Sequence, residues 1–119
     1  MRTRVSYVTI AVSNLAQAKQ FYEGICGFRP TLYYEPTKWQ AYDVGEGTGG
    51  FAISEANDSL TPSPRSLVDF FVDDVEGFWR EIKSQVTVID ELSHAPWGTY
   101  KFVILDPDGN RLGFAQEPK

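Results

Sequence analysis

Residues 67–75 read Leu-Val-Asp-Phe-Phe-Val-Asp-Asp-Val, and residues 7–15 read Tyr-Val-Thr-Ile-Ala-Val-Ser-Asn-Leu. In both stretches apolar residues recur at every second position, which predicts a strand with one face on a core. Each strand is followed by residues that cap a helix, Ser13-Asn14 in the first case and Asp73-Asp74 in the second. The two stretches lie 60 positions apart in a chain of 119 residues, so we expect one structural unit to be repeated.

The first stretch predicts the beginning of a β-α-β-β-β unit. Apolar residues at helical spacing predict a helix over about 15–26, and Gly27 ends it. Three strand-like runs follow, at about 29–35, 38–44 and 50–54. Pro36 and the glycine-rich segment 45–50 separate these runs, because proline and glycine favour turns and loops.

The second stretch begins the same order of elements again. Asp73-Asp74 caps a helix predicted over about 75–84. Strands are then predicted over 86–92, 99–105 and 111–116. Residues 106–110, Asp-Pro-Asp-Gly-Asn, are a strong turn signal between the last two strands.

These elements predict an α+β fold in a single domain over residues 1–119. Two βαβββ modules, about 1–56 and about 66–119, are joined by a polar, proline-containing linker over about 57–65. Neither module buries the apolar face of its sheet alone. We therefore expect a curved, eight-stranded mixed sheet around an open cleft, with both helices on the convex face.

Composition limits the classes of function. Hydrophobic residues make up 42% and charged residues 23% of the chain, which is ordinary for a globular protein. The formal net charge of −5 disfavours nucleic acid and anionic membranes as partners. The sequence shows no signal peptide or membrane-spanning run, so a cytoplasmic location is expected. The single cysteine, Cys26, excludes an internal disulfide and a Cys-rich zinc site.

Three groups of residues resemble the vicinal oxygen chelate superfamily, which includes glyoxalase I, extradiol dioxygenases and bleomycin resistance proteins. The first runs from Val12-Ser13-Asn14-Leu15 through Phe21-Tyr22 to Cys26-Gly27-Phe28. The second is residues 68–75. The third comprises Pro96-Trp97-Gly98, Phe102-Val103, residues 106–110, Phe114 and Gln116. The likeness extends over essentially the whole chain and is closest to bleomycin resistance-like members.

The resemblance implies where a metal would be bound. Enzymes of this superfamily hold a divalent metal with His and Glu, and the metal polarises two neighbouring substrate oxygens. Matching the motifs places those ligands at Tyr7, Leu67 and Gly113, none of which is a usual ligand of a divalent ion. The glyoxalase branch adds a Glu at the end of the fourth strand, where Glu55 lies. We therefore expect no metal and no other cofactor.

Asp69 is the unusual member of an otherwise apolar strand. A carboxylate there costs free energy unless it is paired or solvated. Strand alternation places it on the cleft face together with Tyr7 and Arg111. Two interpretations stay open: a structural ion pair between Asp69 and Arg111, or contact between Asp69 and a cationic or hydrogen-bonding ligand.

Aromatic residues supply the other candidate contacts. Pro96-Trp97-Gly98 resembles the segment that bleomycin resistance proteins present at their drug-binding groove, and flat aromatic rings bind flat, partly cationic compounds. Trp79 is predicted to pack in the core, Cys26 to be a buried thiol and His94 to be a solvated loop residue. Tyr33, Tyr42 and Phe51 are more typical of sheet packing than of a binding site. The candidate ligand-binding residues are Tyr7, Trp39, Tyr42, Glu55, Asp69, Trp97, Tyr100 and Arg111.

The leading hypothesis is a metal-independent protein that binds or sequesters an aromatic or cationic small molecule, as bleomycin resistance proteins do. The resemblance also implies a homodimer. The alternative is a glyoxalase-like lyase or isomerase, or a dioxygenase, with a non-standard site in which Tyr7, Glu55 and Asp69 are the candidate catalytic residues. A third interpretation is a regulatory or interaction domain whose cleft binds nothing.

Overall fold

The structure, a computed structural model, describes residues 2–3, 5–45 and 49–118. The chain divides into two compact units, Met1–Ser63 and Pro64–Lys119. Each unit contains one four-stranded mixed sheet, so the predicted α+β fold with eight strands is confirmed. The boundary between the units falls inside the segment predicted as a linker.

Unit 1 follows the order β-α-β-β-β. Its elements are β1 (Tyr7–Val12), α1 (Leu15–Lys19, continued by a π-helical segment Gln20–Ile25), β2 (Pro30–Tyr34), β3 (Trp39–Tyr42) and β4 (Gly50–Glu55). The strand order is β1-β4-β3-β2, with β1 and β4 parallel and the other pairs antiparallel. Residues 46–48 of the glycine-rich segment lie outside the described residues.

The core of unit 1 is an aromatic cluster between the helix and one face of the sheet. Tyr22 comes from the helical segment and is fully buried. Its ring contacts those of Phe28, Tyr42 and Phe51 at centroid separations of 5.8 to 6.1 Å. Burying large aromatic side chains contributes much of the stability of so small a core. Cys26 is also buried, as expected.

Unit 2 has the same order, with a regular helix. Its elements are β5 (Leu67–Val72), α2 (Val75–Ile82), β6 (Thr87–His94), β7 (Tyr100–Leu105) and β8 (Arg111–Gln116). The strand order β5-β8-β7-β6 repeats that of unit 1, again with the first pair parallel. The strand β6 continues to His94, so the prediction of a loop at this residue was wrong.

The core of unit 2 is built from phenylalanines. Phe102 and Phe114 are fully buried in neighbouring strands, and their rings lie 5.4 Å apart. Phe78 of α2 packs edge-on against Phe114 at 5.0 Å. Trp79 contacts Phe102 at 5.0 Å, so the prediction that it packs against the core is confirmed. These contacts show that Phe102 of β7 and Phe114 of β8 face the helix.

A hydrogen bond to the start of each helix repeats between the units. The Oε2 atom of Glu55, at the end of β4, accepts from the backbone N–H of Leu15 at 3.0 Å. The Oε1 atom of Gln116, at the end of β8, accepts from the backbone N–H of Val75 at 3.0 Å. Because the first N–H groups of a helix have no partner within it, both side chains satisfy an otherwise unpaired donor.

Among the described residues, every helix is too short or too polar to cross a membrane.

Candidate functional site

Trp97 occupies the tip of the β6–β7 hairpin. The backbone N–H of Gly98 donates to the carbonyl of Ala95 at 2.9 Å, and Gly98 has a φ of 96°, which glycine adopts without strain. Pro96 restricts the backbone on the other side of the tryptophan. The turn therefore holds Trp97 outward, where its side chain is 80% exposed.

The strand β6 contains two irregularities next to this turn. The pairing with β7 shifts between Val88 and Asp90 and again between Asp90 and Ser93. Each bulge inserts an extra residue and changes the direction of the following side chains. Two consecutive acidic residues, Asp90 and Glu91, consequently line the same cavity, which a regular strand would not allow.

The cavity has a volume of about 590 Å³ and lies within unit 2. Its apolar lining includes Leu67, Ile89, Trp97 and Val103, and Lys101 adds a positive charge. Leu67 is 44% and Ile89 is 42% exposed, so the apolar surface is open to a ligand. The volume falls in the range of about 300–1,000 Å³ that is typical of small-molecule sites.

An ion pair lies beside this cavity and extends over the strand β8. The Nζ atom of Lys101 and the Oδ1 atom of Asp69 are 2.6 Å apart. Their side chains are 27% and 53% exposed, respectively. A Cβ atom at Gly113 would collide with the Asp69 carboxylate and would lie 2.9 Å from the Cε atom of Lys101. The absence of a side chain at Gly113 therefore makes room for the pair.

The predicted partner of Asp69 was Arg111, and this prediction was wrong. Arg111 is opposite Leu67 in the register, whereas Asp69 is opposite Gly113. The strand β7 contributes Lys101 to the same face, and its long side chain reaches across Gly113 to the carboxylate. Strand adjacency, which the sequence does not reveal, decided which cation paired with Asp69.

The three positions at which the superfamily holds a metal do not fit one. Leu67 has no ligand atom, and Gly113 has no side chain. The space above Gly113 is taken by Asp69 and by the Lys101 ammonium, whose charge would repel a cation. Among the described residues, no three His, Cys, Asp or Glu side chains are grouped to hold a metal ion.

Two predicted ligand residues of unit 1 lie together on the sheet face opposite the helix. Tyr7 is 46% exposed, and its ring contacts Trp39 edge-on at 5.0 Å. The Nε1 atom of Trp39 donates to the Oγ1 atom of Thr9 at 3.2 Å. The Tyr7 ring covers Gly50 so closely that any side chain there would displace it. Tyr7 and Trp39 thus form a second, partly exposed aromatic surface.

Tyr42 and Tyr100 are turned away from these surfaces. Tyr42 is 2% exposed, and its hydroxyl donates to Glu23 at 2.8 Å. Burial raises its pKa, and the hydrogen bond to the Glu23 carboxylate adds to this effect. Tyr100 neighbours Lys101 in β7 and therefore lies on the opposite face, where its ring stacks on His94 at 4.0 Å. Tyr42 thus packs in the core of unit 1, and Tyr100 forms a ring pair with His94.

Glu55 is engaged in holding the helix of unit 1. The N–H donated by Leu15 lowers the pKa of its carboxyl group; burial opposes this effect, and the charge of Lys38 adds to it. The Lys38 Nζ atom is 3.5 Å from the Oε1 atom of Glu55. A carboxylate stabilised in its charged form is a poor proton donor or acceptor near neutral pH. This geometry opposes the catalytic role considered for Glu55.

Comparison with known proteins agrees with this architecture. Residues 4–114 match the model of the Glyoxalase/Bleomycin resistance protein/Dioxygenase superfamily. The chain belongs to this superfamily. A search of curated proteins found no match.

Solved structures of the superfamily's fold are similar to the chain over nearly its whole length. A protein of unknown function from Agrobacterium tumefaciens is 20% identical, with a TM-score of 0.83 and coverage of 99% of this chain and 97% of that one. TnmS3, an antibiotic binding protein from Streptomyces sp. CB03234, is 22% identical, with a TM-score of 0.77 and coverage of 98% of both chains. A lactoylglutathione lyase from Agrobacterium tumefaciens is 17% identical, with a TM-score of 0.72 and coverage of 98% and 95%. At these identities the likeness shows the fold alone.

Sequence reasoning did not identify the three charged residues of the cavity lining, Lys101, Asp90 and Glu91. Lys101 is the one charged residue of the apolar strand 100–105, and alternation places it on the face opposite Phe102. That signal could have identified Lys101 as a cation on the face opposite the helix, but not as the partner of Asp69. Asp90 and Glu91 could not be assigned to one face, because a sequence of this kind does not reveal the two bulges.

Proposed function

We propose that this chain is a metal-independent small-molecule-binding protein that takes up an aromatic, positively charged compound in the cavity of unit 2. The observation that carries the proposal is Trp97, held 80% exposed at the edge of a cavity of about 590 Å³. Water contact with so large an aromatic surface is unfavourable, and exposed apolar patches of this kind often mark binding sites. The ring offers stacking and cation–π contact to a flat ligand.

The charges around the cavity support a cationic ligand. Asp90 and Glu91 line it directly, whereas the positive charge of Lys101 is balanced by Asp69. The lining therefore has an excess of negative charge, in agreement with the net charge of −5. One similar structure, TnmS3, is an antibiotic binding protein, which agrees with a role in binding or sequestering a small molecule.

Calorimetric titration would test the proposal, with bleomycin and 2-(aminomethyl)naphthalene as probes in the presence of EDTA. We expect saturable binding of a probe without metal and a loss of about tenfold or more in affinity for Trp97→Ala. Because Trp97 is so exposed, this substitution should change the free energy of unfolding by no more than about 0.5 kcal/mol. Trp79→Phe is the matched control, since Trp79 packs against Phe102 on the helix side.

Two results would contradict the proposal. Equal binding by wild type and Trp97→Ala would place the ligand elsewhere. Binding or turnover that requires added divalent metal would favour the alternative of a glyoxalase-like lyase or a dioxygenase.

A double variant, Asp90→Asn with Glu91→Gln, tests the preference for cations and should weaken the binding of 2-(aminomethyl)naphthalene. The homodimer implied by the resemblance stays a prediction.

A further inference from the structure

We infer that Lys101 is a specificity residue of this cavity, and that the ligand presents an oxygen acceptor, best a carboxylate, to its ammonium group. The inference rests on the proposed function, because it concerns the same cavity. It adds a second recognition group to the ligand: an oxygen at the Lys101 side, besides the aromatic body and the positive charge.

Lys101 is held in place by its neighbours. Its Nζ atom is 2.6 Å from the Oδ1 atom of Asp69, and its side chain is only 27% exposed. Gly113 lies beneath both side chains, since a Cβ atom there would meet the Asp69 carboxylate and the Cε atom of Lys101. A lysine anchored in this way loses less conformational entropy when it binds a ligand than a freely rotating one.

Lys101 lines the cavity, and Asp69 is not part of its lining. We therefore place a bound ligand on the Lys101 side of the ion pair, with the ammonium as its nearest charged group. An ammonium has three N–H donors, and contact with one carboxylate oxygen leaves donor capacity for a ligand oxygen. A hydrogen bond from a charged donor is stronger than a neutral one, particularly where apolar side chains exclude water.

The rest of the lining defines the other parts of the ligand. Trp97 and Ile89 suit an aromatic body, while Asp90 and Glu91 suit a positive group. These acidic residues belong to β6, whereas Lys101 belongs to β7. A ligand with a cationic group and an oxygen acceptor on one flat ring system would satisfy both sets of charges. The ligand class is thus an amphoteric aromatic compound.

Two matched probes test the inference by calorimetry. The first is 2-(aminomethyl)naphthalene, and the second is 6-(aminomethyl)-2-naphthoic acid, which adds a carboxylate at the far end of the same ring system. Wild type should bind the carboxylate-bearing probe about tenfold more tightly, as expected for one charge-assisted hydrogen bond. The variant Lys101→Met should lose this preference, so that it no longer binds the carboxylate-bearing probe more tightly than the first probe.

The controls separate charge from structure. Lys101→Arg retains the positive donors and should retain most of the preference. Lys83→Met removes a lysine just beyond the end of α2, away from the cavity, and should behave as wild type. Circular dichroism and thermal unfolding would check that each variant is folded. If Lys101→Met unfolds, Lys101→Gln takes its place in the same comparison.

Three outcomes are distinguishable. Loss of the preference in Lys101→Met, but not in Lys101→Arg or Lys83→Met, supports the inference. Trp97-dependent binding of both probes with the preference unchanged in Lys101→Met overturns the inference and leaves the proposed function standing. If neither probe nor bleomycin binds wild type, the proposed function is overturned, and the inference falls with it.

Discussion

The two units build the same cross-strand bridge from different chemistry. In unit 1 the indole of Trp39 on β3 donates to the hydroxyl of Thr9 on β1, across the intervening strand β4. In unit 2 Lys101 on β7 pairs with Asp69 on β5, across β8. The strand registers show that the two bridges occupy equivalent positions. Trp39 pairs with Ser54 of β4, and Lys101 pairs with Ala115, the equivalent residue of β8. Thr9 and Asp69 lie 60 residues apart, which is the spacing of the repeat.

The difference shows how one fold can present different surfaces. The residue under the bridge is Ala52 in unit 1 and Gly113 in unit 2, according to the parallel registers. The neutral bridge of unit 1 holds an aromatic ring beside Tyr7. The charged bridge of unit 2 holds an ammonium at a cavity. Because both bridges lie on the face opposite the helix, they could diverge without disturbing either core.

Core truncation has the largest expected effect and tests whether the two units depend on equivalent packing. Phe51→Ala in unit 1 and Phe114→Ala in unit 2 each remove a buried ring, and each should lower the free energy of unfolding by about 3–5 kcal/mol. Urea denaturation of both variants measures the loss. A loss below about 1 kcal/mol in one variant would break the equivalence, because that core would then repack around the gap.

Loss of the hydrogen bond at the start of α2 has a smaller expected effect. Gln116 accepts from the N–H of Val75 and donates to the carbonyl of Asp73 at 2.7 Å. Gln116→Ala should cost about 1 kcal/mol of stability, as the loss of a helix cap does. Gln116→Glu separates the two hydrogen bonds, since it retains the acceptor for Val75, as in unit 1, but loses the N–H that Gln116 donates to Asp73. Equal stability of Gln116→Ala and wild type would show that water replaces the side chain.

The smallest expected effect is a pH dependence that arises from Glu55 in unit 1. The pKa of Glu55 is lowered in the folded protein, chiefly by the N–H of Leu15. Its stabilising contribution is therefore complete above the ordinary pKa of about 4.3 and is lost as the pH falls through the lower, folded value. The stability difference between wild type and Glu55→Gln should shrink on acidification. Denaturation at several pH values measures it, and a difference independent of pH would contradict this assignment.

Much of the fold could be predicted because its signals are local. The strands 67–72 and 111–116 were predicted with the observed bounds, since alternation of apolar residues directly reflects one buried face. The helix starts at Leu15 and Val75 were predicted from the capping residues before them. The helix of unit 1 was predicted as one continuous α-helix, but it changes to π-helical geometry at Gln20, a change that no local pattern signalled.

The candidate site was less predictable because it depends on which strands are neighbours. Trp97 was identified in the sequence, since proline and glycine on either side indicate an exposed turn. Tyr42 was a candidate ligand residue for which sheet packing was the favoured interpretation, and it is buried, because it lies three residues from Trp39 in the same strand and so faces the opposite side. Tyr100 precedes Lys101 in β7, so its side chain points to the opposite face of the sheet from the cavity.

The sequence by itself determined the repeated β-α-β-β-β units, the membership of the superfamily and the unsuitability of Tyr7, Leu67 and Gly113 as a metal-binding set. These depend on residue type and spacing along the chain. Only the tertiary structure decided that Asp69 pairs with Lys101 and that Asp90 and Glu91 share one cavity. Those arrangements depend on strand adjacency and on two bulges, which result from packing among residues far apart in the chain.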